Sequence, residues 1–303
     1  MNRPIYYFTG LLDCGKTRAI KNTLGDPRFT QNEKTVILCF EEGDIEYEPA
    51  FLEATNTHVE YMDFKEYDSD TIAKIDEKYK PDRIFVEFNG MDEDKLFLED
   101  IPMASGWDIA QIICLVDASK FKLHVKNMPQ FMYNHVSVAD IVVINRYEDA
   151  DFKYLRANLK TMNQNVYMNI EDAVGNIRDF PKDTLFDADN LDISDEDFGL
   201  FYMDVVDNFM KYKDKVVKFN SFFLEVREGN CVFGRFAMVC CANDTQKLGI
   251  MVKGLNQKLK FNGYYHIEGT LRADKKDRGY QLYIDDAKAE EINPPENEFV
   301  TFN

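Results

Sequence analysis

The sequence predicts two domains of different class. The first is an α/β domain built on a doubly wound, mostly parallel sheet, and the second is a small all-β domain of the OB-like barrel kind. Three observations predict this. Gly10-Leu11-Leu12-Asp13-Cys14-Gly15-Lys16-Thr17 matches the phosphate-binding pattern G-x-x-x-x-G-K-S/T at each fixed position, between an apolar strand and a helix. From there to about residue 168, continuous apolar runs alternate with helical spacing, the pattern of parallel strands buried on both faces. From about residue 215, five short strand-like runs follow, separated by Glu228-Gly229-Asn230, Asn262-Gly263 and Asp277-Arg278-Gly279.

In chain order, residues 5–8 form an apolar first strand, and residues 16–24 a helix closed by Gly25. The loop between them lets the backbone wrap a phosphate at its two glycines, with amides and a helix N-terminus aimed at the anion. Lys16 is placed to reach the terminal phosphates and Thr17 to ligate Mg²⁺. Residues 35–40 form a second buried strand, followed by Glu41-Glu42-Gly43-Asp44. Carboxylates there either hold Mg²⁺, directly or through water, or form a solvated turn, and the residues leave both readings open.

Residues 58–62 predict a third strand. Residues 69–80 predict a helix with Ile72, Ile75 and Tyr79 on one face, stopped by Pro81-Asp82. The strand at 84–86 ends in Glu87, where a doubly wound sheet places its active site, and Gly90 just beyond would let the backbone approach a γ-phosphate. A strand at 112–116 ends in Asp117, a helix covers 128–137, and a strand at 141–144 ends in Asn145-Arg146-Tyr147-Glu148-Asp149. A helix at 151–163 and a strand at 166–168 close the series.

Residues 183–197 are acidic and turn-rich, which puts the domains at 1–197 and 198–303. Residues 198–213 have helical spacing and bridge the two parts. The β-domain strands are expected at 215–226, 231–241, 247–252, 264–271 and 280–284.

The net charge of −18 disfavours nucleic acid and anionic membranes as partners. Six cysteines without a framework, no apolar run of membrane-spanning length and no room for a leader before the first strand predict a cytoplasmic protein with reduced thiols and no membrane insertion. His58, His124, His135 and His266 have no partner at metal-ligand spacing and read as structural or exposed.

With these residues in hand, the N-terminal part resembles the CobW/HypB/UreG family of P-loop GTPases, most of all its CobW branch. The resemblance rests on Tyr6-Tyr7-Phe8-Thr9-Gly10 through Gly15-Lys16-Thr17, and on Phe40-Glu41-Glu42-Gly43-Asp44 for the acidic loop. Val86-Glu87-Phe88-Asn89-Gly90 stands for the Walker B strand and Val116-Asp117-Ala118 for the element after the next strand. Asn145-Arg146-Tyr147-Glu148 is a loose form of the guanine-reading N-K-x-D. Two loop residues depart from the family: Asp13 stands for a glycine and Arg18 for a second threonine. The C-x-C-C metal motif is missing, since residues 59–70 hold no cysteine.

The resemblance implies GTP and Mg²⁺ as cofactors. It places Gly10, Asp13, Cys14, Gly15, Lys16, Thr17, Arg18 and Gly90 about the phosphates, and Asn145, Arg146 and Glu148 (or Asp149) at the base. Lys16 and Glu87 would serve the reaction, and Thr17, Glu41, Glu42 and Glu87 the Mg²⁺ shell.

Phe233-Gly234-Arg235-Phe236-Ala237-Met238-Val239-Cys240-Cys241-Ala242-Asn243-Asp244 resembles the C-terminal domain of YcgQ-like bacterial proteins, which are associated with predicted permeases. That implies a bacterial source, a role in metal homeostasis or transport, and a permease or metal-dependent client as partner, with a nucleotide-dependent dimer as a further form. Two functions follow: a slow Mg²⁺-dependent GTPase, or a nucleotide-binding adaptor without useful turnover. Cys240 and Cys241 invite a zinc proposal, but neighbours in a strand point to opposite faces, so core packing is the first reading and zinc the second.

Overall fold

A computed structural model of the chain describes residues 3–30, 32–41, 45–91, 104–181, 186, 191–241, 244–275 and 280–300. The chain divides into one unit of residues 1–150 with 162–180 and a second of residues 151–161 with 181–303.

The first unit contains β1 (Arg3–Thr9), α1 (Lys16–Gly25), α2 (Pro27–Thr30), β2 (Thr35–Cys39), α3 (Pro49–Ala54), β3 (Thr57–Tyr61), α4 (Ser69–Tyr79), β4 (Arg83–Glu87), β5 (Trp107–Asp117), α5 (Phe121–Asn127), α6 (Pro129–Ser137) and β6 (Ile141–Asn145). After α7 (Phe152–Met162), most of which belongs to the second unit, it is completed by β7 (Tyr167–Glu171) and β8 (Ile177–Asp179).

The sheet order is β3-β2-β4-β1-β5-β6-β7-β8. Neighbours are parallel except β8, which pairs antiparallel with β7. Every residue of β2 and β4 is buried, as expected of parallel strands covered on both faces. One core cluster gathers Ile5, Val36, Ile84, Phe64 and Ile72, and another gathers Phe8, Ile20, Leu24, Ile37 and Phe85. From β1 the chain turns out toward β2, and from β4 it crosses back past β1 to β5. The strand order therefore reverses at β1, and the carboxyl ends of β1, β4 and β5 border a crevice. Helix α4 starts where the Asp68 carboxylate accepts the Thr71 N–H at 2.7 Å and ends at Lys80 in the left-handed region.

The second unit adds β9 (Leu191–Ile193), α8 (Phe198–Tyr212), β10 (Val216–Arg227), β11 (Asn230–Cys241), β12 (Asp244–Val252), β13 (Tyr264–Lys275), β14 (Tyr280–Ile292) and β15 (Phe299–Val300). The order β15-β11-β12-β14-β13-β10-β9 has an additional β11–β10 pairing, which closes five strands into a barrel. Within that ring β12 and β14 are parallel and the other pairs antiparallel. The path is the OB-like one expected. Inward residues Val217, Phe219, Phe233, Ile267, Leu271 and Ile284 pack with Phe198, Phe201 and Val205 of α8 in one apolar cluster. Bulges at Phe223/Glu225, Met238/Cys241 and Glu268/Thr270 bend the strands enough to close so small a ring. At Gly234 a Cβ would lie 2.1 Å from the Leu248 carbonyl, so only glycine lets β11 and β12 approach there.

The structure extends β13 to Lys275 and β14 to Ile292, beyond the expected ends at 271 and 284. Past Ile284 the run Asp285-Asp286-Ala287-Lys288-Ala289-Glu290-Glu291 carries little apolar signal, and pairing with β13 holds it extended. Helices α3 and α5 and strands β8, β9 and β15 were too short or too polar to be seen in the sequence. Among the described residues, no helix is long and apolar enough to cross a membrane.

Candidate nucleotide site

The loop leaving β1 turns on two glycines. Gly10 has φ 125°, and a Cβ on it would lie 2.4 Å from the Leu115 carbonyl. Gly15 has φ 99° and precedes α1, and its Cβ would meet Asn145 Nδ2 at 2.9 Å. Both positions demand glycine. Asp13 also sits at positive φ, 58°, in the left-handed region that Asp tolerates better than most residues. No side chain caps the N-terminus of α1, which leaves its first amides to the loop side.

Lys16 is 2% exposed, and its ammonium is held inside the loop. Nζ donates to the Gly10 and Leu11 carbonyls at 2.9 Å each and lies 3.0 Å from Glu41 Oε2. Burial opposes its charge, but the Cys14 sulfur, Glu41 and Glu87 outweigh burial and hold its pKa above the ordinary value. Glu41 in turn accepts the Gly90 N–H at 3.1 Å.

Thr17 donates its hydroxyl to Glu87 Oε1 at 2.5 Å. The other Glu87 oxygen accepts the Tyr47 hydroxyl at 2.5 Å and the Cys39 thiol at 3.5 Å. Burial first, then Glu87, push the Cys39 thiol up to about 12 and the Tyr47 phenol up as well, so both remain neutral donors to a buried carboxylate.

At Gly90 a Cβ would fall 2.4 Å from the Gly10 carbonyl, so the chain after β4 passes close against the glycine loop there. His135 on α6 braces the same junction. Its Nε2 lies 2.9 Å from the Gly90 carbonyl, which can only accept, so Nδ1 accepts from the Thr9 hydroxyl at 2.5 Å. Burial lowers the His135 pKa to about 4, in keeping with this neutral ring.

On the other side of the loop, Asp117 at the end of β5 accepts from the Ser119 N–H and hydroxyl, at 3.0 and 2.5 Å, and from Arg146 Nη1 at 2.6 Å. Burial works against its charge, yet these bonds hold its pKa below the usual value. Arg146, at φ 50°, also donates to the Asp13 carbonyl at 2.9 Å. Asn145 gives its amide to the Cys14 carbonyl at 2.8 Å, and its Oδ1 is buried without a partner among the described residues.

An open cavity of about 460 Å³ lies over the loop, a size suited to a nucleotide. Asp13, Gly15, Lys16, Thr17, Arg18, Glu41 and Arg146 line it, together with Asp117. Arg18 is tied to the Asp172 carbonyl at 2.7 Å. Cys14 is buried beneath the loop, its thiol pushed up to about 11 by burial. Glu148 is exposed in the turn after β6 and is not among the lining residues. Glu42 lies outside the described residues, as do the side chains of Cys240 and Cys241.

Sequence reasoning missed Tyr47, Ser119 and Lys120 in this site and read His135 as structural or exposed, without its link between Thr9 and Gly90. The first three sit in loops beyond their strands, where no periodicity marks them. Among the described residues, no three His, Cys, Asp or Glu side chains form a metal-holding group.

Comparison with known proteins gives two family matches. Residues 4–171 match the CobW/HypB/UreG, nucleotide-binding domain, and residues 156–301 match the DUF1980 C-terminal domain. A comparison with curated proteins finds no match. Among solved structures, the chain is similar to Zn(II)-bound YjiA GTPase from E. coli, with 12% identity and TM-score 0.46 over 94% of this chain and 89% of that one. It is also similar to the hydrogenase maturation factor HypB from Archaeoglobus fulgidus, with 19% identity and TM-score 0.42 over 56% and 81%. HypB from Helicobacter pylori in complex with nickel gives 12% identity and TM-score 0.38 over 55% and 78%.

Proposed function

This chain belongs to the CobW/HypB/UreG family of nucleotide-binding domains through residues 4–171, and from that premise we propose that it binds GTP with Mg²⁺ and hydrolyses it slowly. The observation that carries the reading is the meeting of Lys16, Thr17, Glu41 and Glu87 around one glycine loop. Loop and helix amides hold the phosphates. Lys16 exchanges its loop carbonyls and Glu41 for terminal phosphate oxygens, which carry more negative charge than the one carboxylate it leaves.

The Thr17 hydroxyl and Glu87 carboxylate, already in contact, are the hard oxygen donors that Mg²⁺ takes, with Glu41 close by. Bound there, the ion supplies neutralisation of charge on the phosphate oxygens. Glu87 holds that shell or orients the attacking water, and the Tyr47 and Cys39 bonds fix its position. Guanine preference rests on Asn145 and Glu148 and is modest, because Asn145 already gives its amide to Cys14 and Glu148 stands in an exposed turn.

Asp13 in the glycine loop and the loose base-reading stretch at 145–148 favour a second reading, a nucleotide-binding adaptor without useful turnover that recruits a permease or client through the barrel. A cytoplasmic location, and the role in metal homeostasis or transport that the sequence resemblance implies, belong to this proposal as well. Turnover of GTP and of ATP, each with Mg²⁺ and with EDTA, separates the readings. Mg²⁺-dependent phosphate release faster from GTP supports the GTPase. Tight GTP binding without release supports the adaptor, and equal use of ATP removes the guanine assignment.

A further inference from the structure

The first unit holds a second cavity, of about 600 Å³, on the α1 side of β5, β6 and β7. Phe8, Phe85, Ile113 and Val143 line it, and so do Tyr6 and Phe29, whose rings pack on Phe85 at 5.3 and 5.8 Å. Its polar end is different in kind. Asn169 and Glu171 are two apart on β7 and so share one face, and both line the cavity.

Glu171 is 2% exposed. Its Oε1 accepts Asn22 Nδ2 at 2.7 Å and lies 3.9 Å from Arg18 Nη2. Its Oε2 and the Asn169 Oδ1 are buried with no hydrogen-bond partner among the described residues. Two acceptors unmade in this way are costly, a carboxylate oxygen above all. The other charges lining the cavity, Asp26 and Arg28, pair with each other at 2.6 Å, and Arg18, which does not line it, reaches only the Oε1 side of Glu171, so Oε2 is the negative atom left at the cavity's polar end.

We propose that this cavity binds a small organic cation, an aromatic ring carrying a protonated amine. The ring lies against Tyr6, Phe29 and Phe85, and the ammonium donates to Glu171 Oε2 and Asn169 Oδ1, the two atoms that lack donors. The volume falls within the range of small-molecule sites, and aromatic walls add attraction for a cation. A neutral or anionic analogue of the same shape gives Oε2 no charged donor and binds more weakly.

The test is calorimetry on the full chain with tryptamine and with tryptophol, its neutral counterpart. Tryptamine is expected to saturate the protein, with tryptophol weaker by about tenfold or more. Glu171→Gln is expected to erase that preference, and Ile113→Trp, which fills the cavity, to remove binding of both probes. Far-UV circular dichroism and a cooperative urea transition, retained in both variants, show that they are folded. No saturable tryptamine binding up to about 10 mM, equal binding of tryptophol, or a preference that survives Glu171→Gln would each overturn the proposal.

Discussion

The crevice of the sheet and the interior of the barrel are both buried, and they are built from opposite materials. In the crevice Lys16, Glu87, Asp117, Asn145 and His135 are each 5% exposed or less. In the barrel the corresponding residues are Phe219, Phe233, Ile267, Leu271 and Ile284, at 1% or less. An apolar cluster stabilises by leaving water, roughly 1.5–3 kcal/mol for each large side chain. A buried ion pair such as Lys16–Glu41 gives little net stability, because desolvation offsets the attraction. The difference teaches what each interior is for. The barrel holds a shape, while the crevice keeps charged groups on carbonyls and carboxylates, partners that the proposed function has a phosphate and a metal ion replace.

The largest expected effect lies in the barrel. Phe233→Ala should cost the second unit about 3–5 kcal/mol while leaving GTP affinity within about twofold. Urea unfolding followed by far-UV circular dichroism, with calorimetry alongside, checks this. A parallel collapse of nucleotide binding would break the separation of roles.

Next comes a pH dependence confined to the first unit. The folded pKa of His135 is lowered to about 4, from about 6.5 unfolded. The unfolded chain therefore takes up the proton first as pH falls. Stability is full above about 6.5, is lost between about 6.5 and 4, and the loss approaches roughly 3 kcal/mol. Fluorescence of Trp107, the sole tryptophan, buried in β5, reports unfolding of this unit. His135→Gln should flatten the slope relative to the wild type over that window. An unchanged slope would place the dependence elsewhere.

The smallest effect sharpens the crevice itself. Asp13→Gly relieves a left-handed residue and removes an exposed carboxylate beside the proposed phosphate site. It should tighten GTP binding several-fold, by up to about 1 kcal/mol, at low salt and less at high salt. Binding that weakens in this variant would show that Asp13 serves the ligand.

How much could be read in advance follows the same division. The phosphate loop was legible residue by residue, because its chemistry requires particular types at fixed spacing, and the two positive-φ glycines sit where the pattern puts them. The parallel strands were legible from their apolar runs, and the barrel from strand count and turns. What escaped depends on contacts far apart in sequence. Tyr47 reaches Glu87 across 40 positions, and His135 joins Thr9 to Gly90 from 126 and 45 positions away. Neither link leaves a local pattern. The approach of Gly90 to Gly10 is another such contact, since only the fold brings the two together.

The central claim is that Lys16 waits on its own loop and on Glu41 for a triphosphate. The direct measurement is the affinity of the full chain for GTP·Mg²⁺ by calorimetry, in the wild type and in Lys16→Ala. The account predicts saturable binding weakened in the variant by roughly 1.5–3 kcal/mol or more, with the Trp107 unfolding transition little changed. Equal affinity in the two proteins would contradict it.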